Sequence, residues 1–291
     1  MSDKEIALIL ACDDGYFFHL KNLLLSIARN APSLQAMDKF CISPGMAPEH
    51  VEFIRSHGVT YVPIGHDAFD GPLRQIVAQK PYTFCQFIRP LFPRIVTGYE
   101  HLLYLDCDIW VQDDRLLPVI TQALTYSPRR VVAAPLISHY YESTIISADK
   151  NLEVQRNWVH GGYDIVLAEA IANRTFFSSG LFALPARSPF WDLWWQEVLE
   201  VAPRIQMVNR EFIHFAEQTA FNGVIARHGL ATVLDPLYNF HCNAGGVARS
   251  TNTGKVCSVM SKPMQEICVV HLAGWSGLQD SYRERRLVYE E

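Results

Sequence analysis

Residues 6–16 of the chain read IALILACDDGY. The first six residues of this stretch are all apolar, which is typical of a strand that is buried on both faces, as strands of parallel sheets are. A turn signal follows at residues 12–15, and residues 16–30 then carry apolar side chains at helical spacing. The stretch therefore predicts a strand, a turn and a helix at the start of an open α/β sheet.

The same alternation continues along the chain. Further strands are predicted at residues 39–43, 59–64, 101–105, 131–134, 176–184, 232–235 and 267–271, and helices at 49–57, 116–123, 190–201 and 217–228. This order predicts the α/β class, with a mostly parallel central sheet flanked by helices. No linker divides the chain, so residues 1–291 are predicted to form a single domain. Within it we expect a polar, aromatic variable segment at about 138–173 and a mobile loop at about 243–254.

Charge, cysteine content and the first apolar run indicate which partners and which cellular compartment to expect. The formal net charge is -5 and no strongly basic stretch stands out, so nucleic acid is not expected as a partner. The seven cysteines form no C-x-x-C pair and their number is odd, which argues against a disulfide framework and favours a reducing compartment. The first apolar run is too short to span a membrane and lacks a signal-peptide layout. We therefore expect a cytoplasmic protein without stable membrane insertion; its oligomeric state is not indicated.

The strongest chemical motif is the pair Asp106 and Asp108, which directly follows the apolar run 101–105. Ligand sites of open α/β sheets lie at the carboxyl ends of strands, and side chains two residues apart in an extended segment point the same way. Two such carboxylates suit one hard cation, Mg²⁺ or Mn²⁺, of the kind that binds phosphate oxygens. The alternative interpretation is a pair of loop aspartates that cap a helix.

Two weaker motifs accompany this pair. His271 ends an apolar run, where an imidazole is either a metal ligand or a satisfied core residue, and Gly274 would let the backbone approach a phosphate. After the first strand, Asp13 and Tyr16 are candidates to bind and stack on a base, or alternatively to form a helix cap. The chain has no G-x-G-x-x-G and no Walker A sequence, which argues against dinucleotide-binding and P-loop folds.

In the combination and order of its motifs the chain resembles glycosyltransferase family 8, the retaining transferases that include bacterial lipopolysaccharide galactosyl- and glucosyltransferases and glycogenin. The resemblance extends from Ile6 to about Leu278. It rests on the motif after the first strand, the Leu-Tyr-Leu-Asp-x-Asp string, an acidic-Gln pair with an asparagine four residues on, and a late histidine followed by glycine. It implies a Rossmann-like domain of the GT-A type with a small C-terminal extension, a UDP-sugar donor and a Mn²⁺ or Mg²⁺ cofactor.

The resemblance also implies roles for individual residues. The metal ligands would be Asp106, Asp108 and His271. The nucleotide would be bound by Ala11, Asp13, Asp14, Tyr16, Asp106, Cys107 and Gly274. The donor sugar would be bound by Arg89, Ser178, Ser179, Gly180, Glu217 and Gln218, of which Arg89, Glu217 and Gln218 would act in catalysis. Ser178 stands where the family usually has an asparagine, and the Lys-Pro-Trp that usually follows the late glycine is replaced by Trp275-Ser276-Gly277.

These assignments predict a hexosyltransferase that moves glucose or galactose from UDP to a hydroxyl of a saccharide or glycolipid, with retention of configuration. The acceptor would lie against segment 138–173 and the loop 243–254. Two routes stay open: attack from the face that the diphosphate leaves, or a covalent intermediate on Glu217. Other readings are a nucleotide-sugar-binding protein with little turnover, a nucleotidyltransferase on a related fold, and an enzyme that transfers the sugar to water.

Overall fold

The computed structural model describes residues 4–136, 156, 159–242, 247–259 and 263–272. In chain order its strands are β1 (Lys4–Ala11), β2 (Asp38–Ser43), β3 (Val59–Pro63), β4 (Tyr99–Leu105), β5 (Ile109–Val111), β6 (Val131–Pro135), β7 (Phe177–Pro185), β8 (Ala231–Val233), β9 (Phe240–His241), β10 (Val247–Arg249), β11 (Val256–Ser258), β12 (Gln265–Glu266) and β13 (Val269–His271).

The helices surround these strands and include several short ones. They are α1 (Phe17–Asn30), α2 (Pro32–Gln35), α3 (Pro48–Ser56), α4 (Gly71–Gln79), α5 (Phe84–Phe87), α6 (Phe92–Ile95), α7 (Leu116–Tyr126), α8 (Ile165–Ala172), α9 (Phe190–Val208) and α10 (Ala216–His228). Short 3-10 turns lie at Asp14–Tyr16, His66–Ala68, Pro81–Thr83, Arg89–Leu91, Arg210–Phe215 and Pro236–Tyr238.

A seven-stranded sheet in the order β3-β2-β1-β4-β7-β6-β8 forms the centre of the fold. The first four of these strands are parallel neighbours, β7 is antiparallel to both β4 and β6, and β8 is parallel to β6. The predicted mostly parallel α/β sheet is therefore confirmed. It places the carboxyl ends of β1 and β4 side by side, at the edge where open α/β sheets bind ligands.

Strand β1 is buried on both faces, as its unbroken apolar run predicts. Ala7, Ile9 and Ala11 belong to the hydrophobic cluster on one face of the sheet, whereas Leu8 and Leu10 belong to the cluster on the other. Each cluster continues into helices that pack on its face. Apolar residues at successive positions are thus needed to cover both faces of the strand.

A second, three-stranded sheet in the order β5-β13-β9 brings the C-terminal part of the described chain against the Asp106–Asp108 segment. β5 follows Asp108 directly and pairs antiparallel with β13, so that His271 is opposite Ile109. β13 pairs parallel with β9 on its other side. This sheet is the reason why a histidine late in the sequence lies beside the aspartates.

The structure differs from the sequence prediction in one loop. Of the predicted mobile loop 243–254, residues 243–246 lie outside the described residues, and Val247–Arg249 form strand β10, so the prediction is wrong for that strand. β10 has only three residues, and pairing with β11 determines its conformation. Most of the predicted variable segment 138–173 also lies outside the described residues, but its last part forms α8. Within the described part of the chain, no helix is both long and apolar enough to cross a bilayer.

Candidate active site

The two aspartates of the central motif lie where β4 ends and the chain turns into β5. The backbone N–H of Asp106 donates to the carbonyl oxygen of Gly180 on β7 at 2.7 Å, which extends the pairing of β4 by one residue. The N–H of Ile109 then donates back to the carbonyl of Asp106 at 3.2 Å and closes a tight turn. Both carboxylates are thereby fixed at the carboxyl edge of the central sheet.

Asp106, Asp108 and His271 form one compact group, as the sequence predicts. Nε2 of His271 is 3.2 Å from Oδ1 of Asp108 and 3.9 Å from Oδ2 of Asp106. One ligand atom from each residue lies within 4.8 Å of the other two. Burial lowers the pKa of His271, but Asp108 and Asp106 outweigh that effect and raise it. Two carboxylates and an imidazole around one point are a donor set suited to a divalent cation.

Neighbouring side chains orient two of these ligands, Asp106 and His271, so that one atom of each is available to bind a cation. Oδ1 of Asp106 accepts hydrogen bonds from Nη2 of Arg89 at 2.6 Å and from the hydroxyl of Tyr104 at 2.5 Å, so Oδ2 faces the other ligands. Nδ1 of His271 is 2.8 Å from Oδ1 of Asn239. An imidazole that donates through Nδ1 keeps a lone pair on Nε2 for a cation. The residues present therefore fit a bound cation.

Gly180 provides the space that this group occupies. A Cβ atom at position 180 would collide with the ring of His271 and with the carboxylate of Asp106. Gly180 also accepts the backbone hydrogen bond from Asp106, so strand β7 passes directly under the group. A glycine is thus required here because the backbone of β7 lies so close to His271 and Asp106 that any side chain would displace these two candidate ligands.

Arg89 joins the aspartate motif to helix α10 through a buried ion pair. Its Nη1 donates to Oε2 of Glu217 and to the hydroxyl of Ser179, each at 3.0 Å, while its Nη2 binds Asp106. Burial works to lower the pKa of Arg89, but the carboxylates of Asp106 and Glu217 raise it overall. The guanidinium therefore stays charged and neutralises two carboxylates on different elements.

Glu217 is the most unusual acid of the site. Its residue is only 1% exposed, and its Oε1 is buried without a hydrogen-bond partner. Burial raises the pKa of Glu217 to about 7, although Arg89 and Ser179 act in the opposite direction. A carboxyl group with a pKa near neutrality beside a cationic side chain is a feature of functional sites, although structural ion pairs produce it as well.

Gln218 and Asn222 hold α10 against strand β7. Oε1 of Gln218 accepts the backbone N–H of Ser179 at 3.2 Å, and Gln218 is partly exposed. The amide of Asn222 accepts from the N–H of Phe177 at 2.7 Å and donates to its carbonyl at 2.9 Å. The hydroxyl of Ser178 accepts from the N–H of Gly180 at 3.2 Å. Strand and helix therefore form one rigid wall of the site.

The segment after β1 forms the opposite wall. Asp13 caps the first turn through a 3.0 Å hydrogen bond from the N–H of Tyr16, which agrees with the capping interpretation. Burial, followed by the charges of Asp108 and its neighbours, raises the pKa of Tyr16 to about 12. Tyr16 therefore lies close to the aspartate motif, in which Cys107 is a buried residue between the two aspartates.

Asp14 is engaged differently from Asp13. Its exposed carboxylate accepts a 2.8 Å hydrogen bond from the N–H of Ala47 and lies 2.7 Å from Nδ1 of His50, at the start of α3. These contacts lower the pKa of Asp14, with the Ala47 bond as the largest cause. Asp14 thus ties the first turn to α3. Ala11 is buried at the end of β1, and Gly274 lies outside the described residues.

Sequence reasoning missed three residues at the centre of the site: Tyr104, Asn239 and His241. Tyr104 holds Asp106, and its ring lies under the guanidinium of Arg89, 4.8 Å from ring centroid to Cζ. Asn239 holds His271. The ring of His241 is 4.3 Å from that of His271, and burial lowers the pKa of His241 well below its usual value. Tyr104 lay within a quoted motif, whereas no local pattern marks Asn239 or His241.

Comparison with known proteins gives a family match over part of the chain. The model described as glycosyl transferase family 8 matches residues 7–140, from β1 past both aspartates. The matched part is just under half of the chain, and it is similar to glycosyltransferase family 8. The chain is accordingly a glycosyltransferase, and its fold is of the GT-A type. Among curated proteins none matches the chain.

Solved structures share this fold across nearly the whole chain. A galactosyltransferase, LgtC, in complex with donor and acceptor sugar analogs, is 15% identical, with a TM-score of 0.60 and coverage of 98% of this chain and 97% of that one. Mouse xyloside xylosyltransferase 1 is 13% identical, with a TM-score of 0.52 and coverage of 94% and 98%. The glycosyltransferase GlyE of Streptococcus pneumoniae TIGR4 is 14% identical, with a TM-score of 0.52 and coverage of 99% and 65%.

Proposed function

We propose that this glycosyltransferase moves a hexose from a UDP-sugar, UDP-glucose or UDP-galactose, to a hydroxyl of a saccharide or glycolipid acceptor, with retention of configuration. One observation carries the proposal: the group Asp106, Asp108 and His271 lies at the carboxyl edge of the sheet and is joined by Arg89 to the Glu217–Gln218 pair. The likeness to a galactosyltransferase solved with donor and acceptor sugar analogs supports this choice of reactants.

Asp106, Asp108 and His271 are the residues that would hold the cation, Mn²⁺ or alternatively Mg²⁺. When bound there, a divalent cation offsets the negative charge of a departing diphosphate. The chain itself supplies the orientation, since Arg89, Tyr104 and Asn239 fix two of the three ligands. Preorganised ligands need no rearrangement as charge develops on the leaving group.

The nucleotide would lie between the turn after β1 and the aspartate motif. Tyr16 is partly buried near Asp108 and offers its ring for stacking on the base. The carboxylate of Asp13, which already caps Tyr16, offers its remaining acceptor capacity to the base or ribose. Contacts at the ends of this cleft are assigned to Ala11, Asp106, Cys107 and Gly274.

The donor sugar would lie against the wall formed by β7 and α10. Arg89, Ser178, Ser179, Gly180, Glu217 and Gln218 are the proposed contacts. Oε2 of Glu217 is already bound by Arg89 and Ser179, which reduces its strength as a nucleophile. The partly exposed amide of Gln218 is the nearer neighbour of a bound sugar. This arrangement supports attack of the acceptor from the face that the diphosphate leaves, with Glu217 as counter-charge to Arg89.

The acceptor is proposed to lie against segment 138–173 and residues 243–254. We place the protein in the cytoplasm, a proposal supported by the odd number of cysteines and the absence of a C-x-x-C pair in the sequence.

Donor turnover tests the proposal. Purified protein with Mn²⁺ is incubated with a panel of nucleotide-sugars, and nucleotide release is measured in the wild type and in an Asp106→Asn/Asp108→Asn variant. NMR of the product with a simple saccharide acceptor then reports the anomeric configuration. We expect UDP release from one hexose donor, its loss in the variant, and a retained configuration. Release from no UDP-hexose, or an inverted product, contradicts the proposal.

A further inference from the structure

His241 lies beside His271, one of the candidate cation ligands. Strands β9 and β13 are parallel neighbours in which His241 is paired in register with His271. Residues paired directly across neighbouring strands present their side chains on one face of the sheet. The two ring centroids are 4.3 Å apart, with an angle of 39° between the ring planes. His241 therefore extends the face of the small sheet that carries His271.

The side chain of His241 is buried, yet one of its ring nitrogens has no hydrogen-bond partner. The residue is 9% exposed, and its Nε2 is buried without a hydrogen-bond partner. Most buried polar side-chain atoms in proteins have a partner, so an orphan next to a candidate site requires an explanation. A ligand that reaches this point would supply the missing partner.

The position of His241 indicates which ligand atom would do so. His241 is not a member of the group whose ligand atoms lie within 4.8 Å of one another, so it does not belong to the inner set around the cation. A cation with three protein ligands keeps coordination positions that substrate phosphates fill. An imidazole N–H in the next layer is suited to donate to a phosphate oxygen.

We propose that Nε2 of His241 donates a hydrogen bond to a phosphate oxygen of the nucleoside diphosphate bound at the Asp106–Asp108–His271 group. This inference rests on the proposed function, because a diphosphate reaches the site only as part of the nucleotide or its sugar ester. In this role His241 contributes to the affinity for the diphosphate, and it is distinct from the residues that hold the cation.

Titrations with defined probes test this role. Binding of UDP in the presence of Mn²⁺, and of uridine, is measured by calorimetry for the wild type, His241→Phe, His241→Gln and the exposed control His228→Gln. Binding of Mn²⁺ alone is followed by electron paramagnetic resonance. We expect His241→Phe to weaken UDP binding about tenfold, while the affinities for uridine and for Mn²⁺ alone stay within twofold of the wild type. His241→Gln retains an N–H donor and is expected to recover most of the loss.

The outcomes separate this inference from the proposed function. If the wild type binds no UDP, the proposed function fails first and the inference fails with it. If the wild type binds UDP and His241→Phe binds it equally well, the inference alone is wrong. A parallel loss of Mn²⁺ binding in His241→Phe overturns it too, since His241 would then act on the cation. Circular dichroism checks that each variant is folded, and His241→Gln provides the comparison if His241→Phe is not.

Discussion

Oδ1 of Asn239 lies 2.8 Å from Nδ1 of His271, so an amide just before strand β9 fixes the ring orientation of a histidine on the neighbouring strand β13. The two residues are separated by 32 positions in the sequence. Contacts of this kind set which ring nitrogen of a metal-binding histidine carries the proton, and hence which one is free to bind.

Loss of this contact is expected to weaken cation binding. Removal of such a supporting partner typically costs about 10- to 100-fold in metal affinity, and we predict a loss in this range for Asn239→Ala. Titration of Mn²⁺ by electron paramagnetic resonance measures it. Asn252→Ala, at an exposed turn, serves as the matched control. Equal Mn²⁺ affinity in Asn239→Ala and the wild type would mean that His271 needs no such support.

Gly180→Ala is predicted to disrupt the cation group while leaving the rest of the fold intact. The added Cβ would collide with the ring of His271 and with Asp106. Overpacking of this type costs about 1–3 kcal/mol of stability, and we expect Mn²⁺ affinity to fall about tenfold or more as the ligands move. Gly15→Ala is the control for stability, because its Cβ would meet no atom closer than 3.5 Å. Unchanged Mn²⁺ affinity in Gly180→Ala would refute the close approach.

The buried ion pair predicts a large effect of Arg89 on stability. Arg89→Met leaves Asp106 and Glu217 without their shared counter-charge, and breaking a buried pair in this way costs about 3–5 kcal/mol. Adding Glu217→Gln removes one of the two charges and is expected to recover part of the loss. Denaturant unfolding measures both variants. Arg94→Met, which breaks an exposed pair with Asp192, should cost less than about 1 kcal/mol. Similar losses for Arg89→Met and Arg94→Met would contradict the buried network.

The raised pKa of Glu217 predicts how the free energy of unfolding depends on pH. Its pKa is raised from 4.5 to about 7, chiefly by burial, so the folded protein binds this proton more tightly than the unfolded chain does. The stabilisation from the protonated form is complete below 4.5 and is lost as pH rises through about 7. The neutral Glu217→Gln variant should therefore gain stability relative to the wild type between pH 5 and pH 8. Urea unfolding at both values checks this, and a difference that does not change with pH would refute the raised pKa.

Local pattern predicts the main strands of the central sheet and part of the site. The run 6–11 predicts β1 because both faces of that strand are buried, and the spacing of Asp106 and Asp108 predicts two carboxylates at one strand end. The partnership of Arg89 with Glu217 joins residues 128 positions apart, so it depends on tertiary packing that periodicity does not encode. The same applies to strand β10, which exists through its pairing with β11.

The supporting residues show the same limit. Asn239 and His241 lie in a short segment without a strong periodic pattern, and their place beside His271 follows only from the pairing of β9 with β13. The family resemblance supplied His271 as a ligand, and it supplied Arg89 and Glu217 as members of the site. It gave no sign that Arg89 also holds Oδ1 of Asp106.

Asp106, Asp108 and His271 are expected to hold one divalent cation to which a nucleotide diphosphate binds. The most direct test is a calorimetric titration of UDP into the wild type and into His271→Ala, each with Mn²⁺ and with a chelator in its place. We expect UDP to bind to the wild type with Mn²⁺, and its affinity to fall at least about tenfold both with the chelator and in the variant. Equal UDP affinity in all four titrations would contradict it.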